Sequence, residues 1–284
     1  MTVDELVDSV DKLLSLPDAA IRLNTLLTDP YVTIGEIAEV VSLDPALAAR
    51  LLRIVNSAYF GLRGRVDTIA KAVSMIGISE LHSLVLATSA ALAFRKISSR
   101  LVDMEAFWQH SVRTALAARG FAGTSLKSHR ERVFLAGLLH DVGQLVIYQQ
   151  LPAQATAVLE AVRAGHPRDA SEQALLGFTH AEVGATLLER WNLPGSLTQP
   201  VRYHHDFEAA VDHAQEAALL YLGSTVSDLM ERDSGEEWAR TPDVPPQAWA
   251  QAGCTPDGLE EVIVEVSMNW LQVVEIVAPG SVRL

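Results

Sequence analysis

Helix-start signals recur along this chain, each placed directly ahead of a stretch with the apolar spacing of a helix. Thr33–Glu36 and Thr179–Glu182 both read threonine, two residues, glutamate, a pattern in which the two side chains satisfy the first free backbone N–H groups of a helix. Asp44-Pro45 places an N-cap residue before a proline at the first helical position. No segment shows the clear alternation that is typical of strands. The sequence therefore predicts an all-α fold.

We expect two helical subdomains followed by an acidic C-terminal segment. Apolar spacing indicates about five short helices within residues 6–95 and longer helices after residue 104. The polar stretch Arg95–Asp103 separates the two groups. Residues 232–254 have the charges and prolines of a surface loop, and Thr255-Pro256 is expected to start a last helix that packs back on the domain or on a second subunit. The expected divisions are residues 1–95, 104–231 and 232–284.

The charge of the chain argues against binding to nucleic acid. The formal net charge is −13, and residues 201–284 carry 4 basic and 15 acidic side chains, whereas DNA-binding proteins gain affinity from Lys and Arg on phosphates. Residues 33–53 resemble a helix-turn-helix, but the second helix begins with Ala46–Ala49, which can read almost nothing on the bases. We expect two packed core helices here, and a DNA-binding regulator is the less favoured alternative.

Cysteine content and apolar runs indicate a cytoplasmic protein without a membrane contact. Cys254 is the only cysteine, so there can be no internal disulfide and no thiolate metal site, as is typical of a reducing compartment. No apolar run reaches the roughly 18 residues of a membrane span. The first residues, MTVDELVDSVDKLL, are acidic and amphipathic, unlike a secretory signal. A homodimer through the last helix is an open alternative.

Five of the nine histidines and two aspartates fall in segments that a helical bundle could bring together. Imidazole nitrogen together with carboxylate oxygen, in the absence of sulfur, suits Fe, Mn, Zn or Ni. We therefore predict a site for one or two divalent transition-metal ions. The predicted ligands are His110, His140, Asp141 and Asp228 for one ion, and His180, His204 and His205 for a second.

The environment of three of these sites can be predicted further. The apolar flanks of His140-Asp141 indicate one buried helix over residues 132–150, where an ionised aspartate needs a partner; a metal would meet that need, and so would a hydrogen-bonded His–Asp pair that locks the bundle. His180 is expected at the first position of a helix, where the helix dipole favours a neutral ring; the alternative is an exposed first-turn residue. Of the pair His204-His205, one would ligate and the other would face solvent or an anion.

The order of these residues, with the blocks around them, resembles the HDOD branch of the HD superfamily of metal-dependent phosphohydrolases. The resemblance covers roughly residues 6–230. It implies an N-terminal helical bundle packed on an HD-like helical domain, and a regulatory module of bacterial signalling that works with signalling protein partners and lacks efficient catalysis. The blocks that carry it are LPDAAIRLNTLL, DPALAARLLRIVNSAYFG, KAVSMIGISEL, FWQHSVRTA, LAGLLHDVGQLVIY, THAEVGATLLERWNLP and RYHH.

The chain departs at two points from the related HD-GYP branch, which cleaves cyclic di-GMP. Members of that branch follow the paired histidines with Gly-Tyr-Pro, whereas this chain reads HHDFEAAVDH. Their H-D-x-G-K motif ends here in Gln144, so a neutral amide replaces the lysine expected to steady a phosphate. We expect slow hydrolysis or none. A metal-dependent phosphohydrolase or cyclic-dinucleotide phosphodiesterase is the alternative, in which Arg113 or Arg202 takes the role of the lysine.

Overall fold

The computed structural model describes residues 1–10, 14, 16–57, 60–62, 64–94, 101–123, 126, 129–232 and 244–278. Over these residues every regular element is helical and none is a strand, so the predicted all-α fold is confirmed. The α-helices in chain order are α1 (Val3–Val10), α2 (Asp18–Leu26), α3 (Ile34–Ser42), α4 (Pro45–Val55), α5 (Ile69–Ile76), α6 (Ile78–Phe94), α7 (Met104–Ala122), α8 (Arg130–Leu139), α9 (Val142–Gln150), α10 (Pro152–Arg163), α11 (Arg168–Leu176), α12 (His180–Arg190), α13 (Gly195–Arg202), α14 (Ala214–Arg232), α15 (Pro246–Ala252) and α16 (Leu259–Val277).

The N-terminal helices begin where the capping residues predict. The Thr33 side chain accepts from the Glu36 N–H, and the Glu36 carboxylate accepts from the Thr33 N–H at 2.9 Å. The Asp44 carboxylate accepts from the Leu47 N–H at 3.0 Å at the start of α4. Leu47 and Leu51 of α4 are buried in the core. The segment that resembles a helix-turn-helix is therefore a pair of packed core helices.

Among the described residues, no single helix has the length and apolar character needed to cross a bilayer. The pair α5 and α6 passes that test only when the two are joined, and they are bent by 118° at the break between them. Most side chains of α6 are buried within the protein.

The N-terminal helices are joined to the C-terminal end of α12. The indole Nε1 of Trp191 donates to the carbonyl oxygen of Leu14 at 2.9 Å. Arg190 pairs with Asp4 at 3.1 Å and also with Asp8. Trp191 is buried, so this contact consists of a packed indole ring with a hydrogen-bonded N–H. The two ion pairs of Arg190 lie outside the ring and are exposed.

Helix α7 is the axis of the second half of the protein, with α8, α14 and α16 packed along it. Two of these contacts are close because glycines lie at them. A Cβ atom at Gly137 of α8 would lie 2.8 Å from the Cα of Ala115, and one at Gly223 of α14 would lie 2.6 Å from the Thr114 carbonyl oxygen. No side chain fits in either place. The last helix, expected to start at Thr255-Pro256, follows the 3₁₀ turn Pro256–Gly258 and packs back on α7.

Three segments differ from the sequence prediction. Residues 132–150 form two helices, α8 and α9, instead of one, with His140 and Asp141 at the break; the apolar run is continuous, so hydrophobic spacing alone could not show this break. Helix α13 ends at Arg202, which leaves the paired histidines in a turn. Helix α15 lies within the segment expected to be a loop. The rest of that loop, residues 233–243, and residues 95–100 of the expected boundary lie outside the described residues.

Candidate metal centre

The fold brings all seven predicted residues together at one place beside α7. Helix α7 provides one histidine, and the break between α8 and α9 provides a histidine and an aspartate. The first turn of α12 provides a histidine, the turn after α13 provides two, and α14 provides an aspartate. In that order, these residues are His110, His140, Asp141, His180, His204, His205 and Asp228.

The Asp141 carboxylate lies at the centre of this cluster. Its Oδ1 is 3.1 Å from Nε2 of His180 and 3.8 Å from Nε2 of His204. Its Oδ2 is 3.5 Å from Nε2 of His140 and 3.8 Å from Nε2 of His110. Asp141 makes no side-chain cap on α9, so its carboxylate is free to face the histidines. Four rings therefore present the same nitrogen to one carboxylate.

Two of these rings are oriented by a backbone carbonyl. Nδ1 of His140 donates to the Gly137 carbonyl oxygen, and Nδ1 of His204 donates to that of Val201, both at 2.7 Å. A neutral ring that donates through Nδ1 carries a lone pair on Nε2. Both Nε2 atoms are buried and have no hydrogen-bond partner in the part of the chain that is described. Since buried polar atoms without a partner are costly, these two nitrogens are suited to a metal ion.

Glu172, which was not among the predicted residues, orients a third ring. Its Oε2 accepts from Nδ1 of His180 at 2.6 Å and from the His180 backbone N–H at 2.7 Å. Glu172 is only 2% exposed. A carboxylate on the far nitrogen of a ligating histidine is the usual outer partner of a metal site. The surrounding sequence, RDASEQALL, looks like any exposed amphipathic helix, so spacing alone gave no sign of this role.

The paired histidines both face the cluster because they lie in a turn and not on a helix. His204 is fully buried. Nε2 of His205 lies 3.1 Å from Nε2 of His180, and His205 also lines the adjoining pocket. The two rings therefore approach His180 from the buried side and from the accessible side.

The outer edge of the cluster is acidic. Nδ1 of His110 lies 3.1 Å from Oε1 of Glu231 and 3.7 Å from Oδ1 of Asp228. Asp228 thus approaches the cluster through His110, and Glu231 is a further carboxylate that the sequence did not single out. The donor atoms that lie within 4.8 Å of one another form three sets: Asp141, His180, His204 and His205; His110, His140 and Asp141; and His110, Asp228 and Glu231.

The charged groups shift one another's pKa values in opposite directions. Burial lowers the pKa of His140 to about 4. Burial also acts to lower the pKa of His180, but Glu172 and Asp141 outweigh it and raise that pKa to about 10. Burial acts to raise the pKa of Asp141, yet the surrounding histidines hold it well below its usual value. In the absence of a metal, these two carboxylates favour a protonated His180 ring, whereas the helix dipole favours the neutral ring, and a bound cation would compete with this proton.

The cluster opens onto a pocket of about 730 Å³. Neither arginine considered as a replacement for the missing lysine lines it. The Arg113 guanidinium lies 4.3 Å from the ring centroid of Trp270 and 3.6 Å from Glu231, and Arg202 pairs with Glu189 at 3.0 Å. The pocket is lined instead by Arg168, with Gln144, Tyr148 and the cluster residues His110, Asp141, His205 and Asp228. This arrangement of nitrogen and oxygen donors could hold a metal ion beside an accessible cavity.

Comparison with known proteins agrees with this geometry. The family model of the HDOD domain matches residues 13–207. A protein of Shewanella amazonensis SB2B that bears the provisional name of a phosphohydrolase has a similar structure, with a TM-score of 0.76 and 27% identity over 96% of this chain and 97% of that one. A protein of Marinobacter aquaeolei VT8, provisionally named a signal transduction protein, gives a TM-score of 0.71 and 25% identity over 96% of this chain and 60% of that one.

A longer relative is known from its sequence. An uncharacterised protein of Treponema pallidum (strain Nichols) is 29% identical over 207 residues, which is 72% of this chain. This chain spans only 40% of the length of that relative. The similarity therefore concerns a part of that protein and not the whole of it.

Proposed function

The chain belongs to the HDOD family, and from that premise we propose that it is a regulatory module that binds a metal ion. We propose further that it acts through a signalling protein partner and hydrolyses phosphoesters slowly or not at all. The family is related both to HD phosphohydrolases and to signal transduction proteins. The observation that carries the proposal is a complete cluster at the mouth of a pocket, with a neutral amide, Gln144, where the hydrolytic branch has a lysine.

The proposed metal ligands are the seven clustered residues, holding one or two divalent ions of Fe, Mn, Zn or Ni. Support comes from the buried Nε2 atoms of His140 and His204, which lack partners in the described chain, and from Glu172 behind His180. The donor set is nitrogen and carboxylate oxygen without sulfur. The full set is His110, His140, Asp141, His180, His204, His205 and Asp228.

Slow catalysis follows from the groups around the cluster. A bound metal polarises a phosphoryl oxygen and activates water. Phosphoryl transfer also needs positive charge where charge develops, and removing one such stabiliser costs on the order of 10²–10³ in rate. Gln144 supplies a hydrogen bond and no charge, and its oxygen is engaged by the Tyr148 hydroxyl at 3.1 Å.

Elemental analysis tests the metal proposal. Protein purified without added metal or chelator should contain a transition metal, and Asp141→Ala should remove it and lower the melting temperature, because metal binding stabilises the folded state. Asp212→Ala, at an exposed aspartate outside the cluster, is the control and should retain the metal. Native protein without metal, together with an unchanged melting temperature in Asp141→Ala, would contradict the proposal.

A metal-dependent phosphohydrolase or cyclic-dinucleotide phosphodiesterase is the second candidate. It is favoured by the retention of every predicted ligand beside an open pocket. We expect cyclic di-GMP and common nucleotides to be turned over slowly or not at all, with a feeble activity that rises in Gln144→Lys. Turnover at ordinary enzymatic rates that is abolished by His140→Ala would promote this candidate over the regulatory module.

A further inference from the structure

We propose that the outward face of the last helix, α16, binds an amphipathic helix of a partner protein that carries basic residues at both of its ends. The proposal deepens the proposed function, because it assigns a surface to the signalling partner, and it uses no residue of the metal cluster. It is carried by an apolar stripe on α16, by the acidic residues at both ends of that stripe and by a groove beside it.

The inner face of α16 is already packed against the rest of the protein. A Cβ atom at Gly120 of α7 would lie 3.1 Å from Cγ2 of Val262, so the two helices are in close contact. Glu265 of α16 pairs with Arg119 of α7 at 3.7 Å. The outward face is therefore not required to hold α16 in place. The buried apolar residues of the helix are Val262, Ile263, Val266, Val273, Val274 and Val277.

Three apolar side chains form a stripe along the outward face of α16, here called the outer stripe. Val264 is 51% exposed, Met268 is 78% exposed and Leu271 is 44% exposed. They are spaced i, i+4 and i+7, so they share one face of the helix. This is the spacing with which one helix anchors another, and the flexible methionine side chain is common at such surfaces. An exposed apolar stripe of this kind marks a site of interaction.

A groove of about 620 Å³ lies beside the outer stripe. The 3₁₀ turn before α16 supplies Pro256 to its lining, and the helix supplies Leu259, Ile263, Val264 and Met268. Two residues of the stripe therefore also form a wall of the groove. Apolar side chains of a docked helix would enter the groove while its backbone lies along the stripe.

Acidic side chains stand at both ends of the outer stripe. Glu260 and Glu261 lie one turn before Val264, and Glu275 lies one turn after Leu271; all three glutamates are exposed, and none makes an ion pair within the described part of the chain. Residues 241–282 contain no lysine or arginine. An acidic residue in the last turn of a helix opposes the helix dipole, so Glu275 does not serve the stability of α16.

These charges favour a basic partner over a second copy of the chain. In a pair of α16 helices related by a two-fold axis, each acidic end would meet an acidic end, whether the helices ran parallel or antiparallel. Like charges placed face to face disfavour association. A partner helix with lysines or arginines at both ends would match both acidic ends, which speeds association and fixes its position along the stripe.

The experiment is binding of a stapled helical peptide of about 15 residues to the full chain, followed by fluorescence anisotropy, with metal content measured on each sample. The peptide carries leucines spaced as the three residues of the outer stripe are, and lysines in its first and last turns. A second peptide has glutamates in place of the lysines. The lysine peptide should bind about 10-fold more tightly than the glutamate peptide, as expected from several exposed ion pairs. This difference should shrink as salt is added.

Four variants separate the apolar and the charged contributions. Met268→Gln should weaken binding of the lysine peptide roughly 10-fold, whereas Leu175→Gln, at an exposed leucine of α11, should leave it unchanged. Glu275→Lys should weaken binding about 5-fold, while its melting temperature stays at or above the native value because a lysine in the last turn suits the helix dipole. Glu160→Lys makes the same change in the last turn of α10 and should not alter binding.

Absence of lysine-peptide binding, equal affinity for the two peptides, or native affinity in both Met268→Gln and Glu275→Lys would overturn the docking surface. A dimer in sedimentation velocity that is lost in Met268→Gln would assign the outer stripe to a second copy and overturn it too. Each of these results would leave the metal proposal intact. Lysine-peptide binding that depends on Met268 in native protein without metal would support the docking surface and count against the metal proposal.

Discussion

Gly143→Ala is expected to separate α9 from α12 and to break the cluster between them. A Cβ atom at Gly143 would lie 2.0 Å from the carbonyl oxygen of His180 and 2.6 Å from the backbone nitrogen of Gly184. Ordinary contact needs roughly 3.5 Å, and both obstacles are backbone atoms that cannot rotate away. The two helices must therefore move apart by on the order of 1 Å.

That displacement acts directly on the site, because Asp141 lies two residues before Gly143 and His180 begins α12. Their contact is 3.1 Å in the native protein, near the upper limit for a hydrogen bond. Overpacking usually costs about 1–3 kcal/mol and sometimes more, and a clash with backbone belongs at the upper end. We expect about 3 kcal/mol of destabilisation, equivalent to a fall in melting temperature of roughly 5–10 °C for a chain of this size.

Thermal unfolding and elemental analysis on the same samples measure both effects. Gly35→Ala is the matched control, because a Cβ atom at that helical glycine would meet only Thr33 Oγ1 at 3.8 Å; alanine there should stabilise by about 0.5–1 kcal/mol. Gly143→Ala protein with native stability and native metal content would refute the idea that this close approach positions the cluster.

Three other outcomes follow from the same structure. Glu172→Gln should lower metal affinity about 10- to 100-fold, measured by metal titration. Burial, with the neighbouring Glu131, raises the pKa of Glu80 to about 9. The folded protein therefore keeps this proton as the unfolded chain loses it, so the free energy of unfolding falls as pH rises above about 4.5. Glu80→Gln should raise that free energy by on the order of 2 kcal/mol at pH 8 and by almost nothing at pH 4, measured by denaturant unfolding. With a net charge of −13, duplex DNA should not be bound at physiological salt; sub-micromolar, sequence-selective gel shifts would contradict this.

Local chemistry in the sequence was enough to predict most of the fold. Thr33 and Thr179 start helices because their hydroxyls and the following glutamates satisfy N–H groups in both places, which is a property of four consecutive residues. The seven clustered residues could be selected because a histidine or aspartate within an apolar segment is costly to bury unless a polar partner or a metal meets it.

The features that could not be predicted depend on contacts between distant segments. Glu172 and Arg168 occur in a helix whose sequence looks solvent-exposed, and their partners, His180 of α12 and Tyr148 of α9, belong to other helices. The break at His140-Asp141 is hidden because apolar residues continue on both sides of it. Glu172 lies eight residues before His180 and outside its helix, and it acts to raise the pKa of that ring, so an argument from the helix dipole alone leaves out a charge that acts on His180.

Helix α12 connects the N-terminal residues of the chain to the histidine–aspartate cluster, so a truncation at the N-terminus should affect the cluster. Its 11 residues make a stiff rod roughly 16 Å long, with His180 at one end and, beyond Arg190, the Trp191 indole held by the Leu14 carbonyl at the other. Removal of the first 16 residues would leave that indole N–H without its acceptor and would expose apolar surface of the ring. The C-terminal end of α12 would then be held by fewer contacts, and we expect its movement to be transmitted along the helix to His180. The first 16 residues therefore help to position the candidate metal centre, although none of its described ligand atoms comes from them.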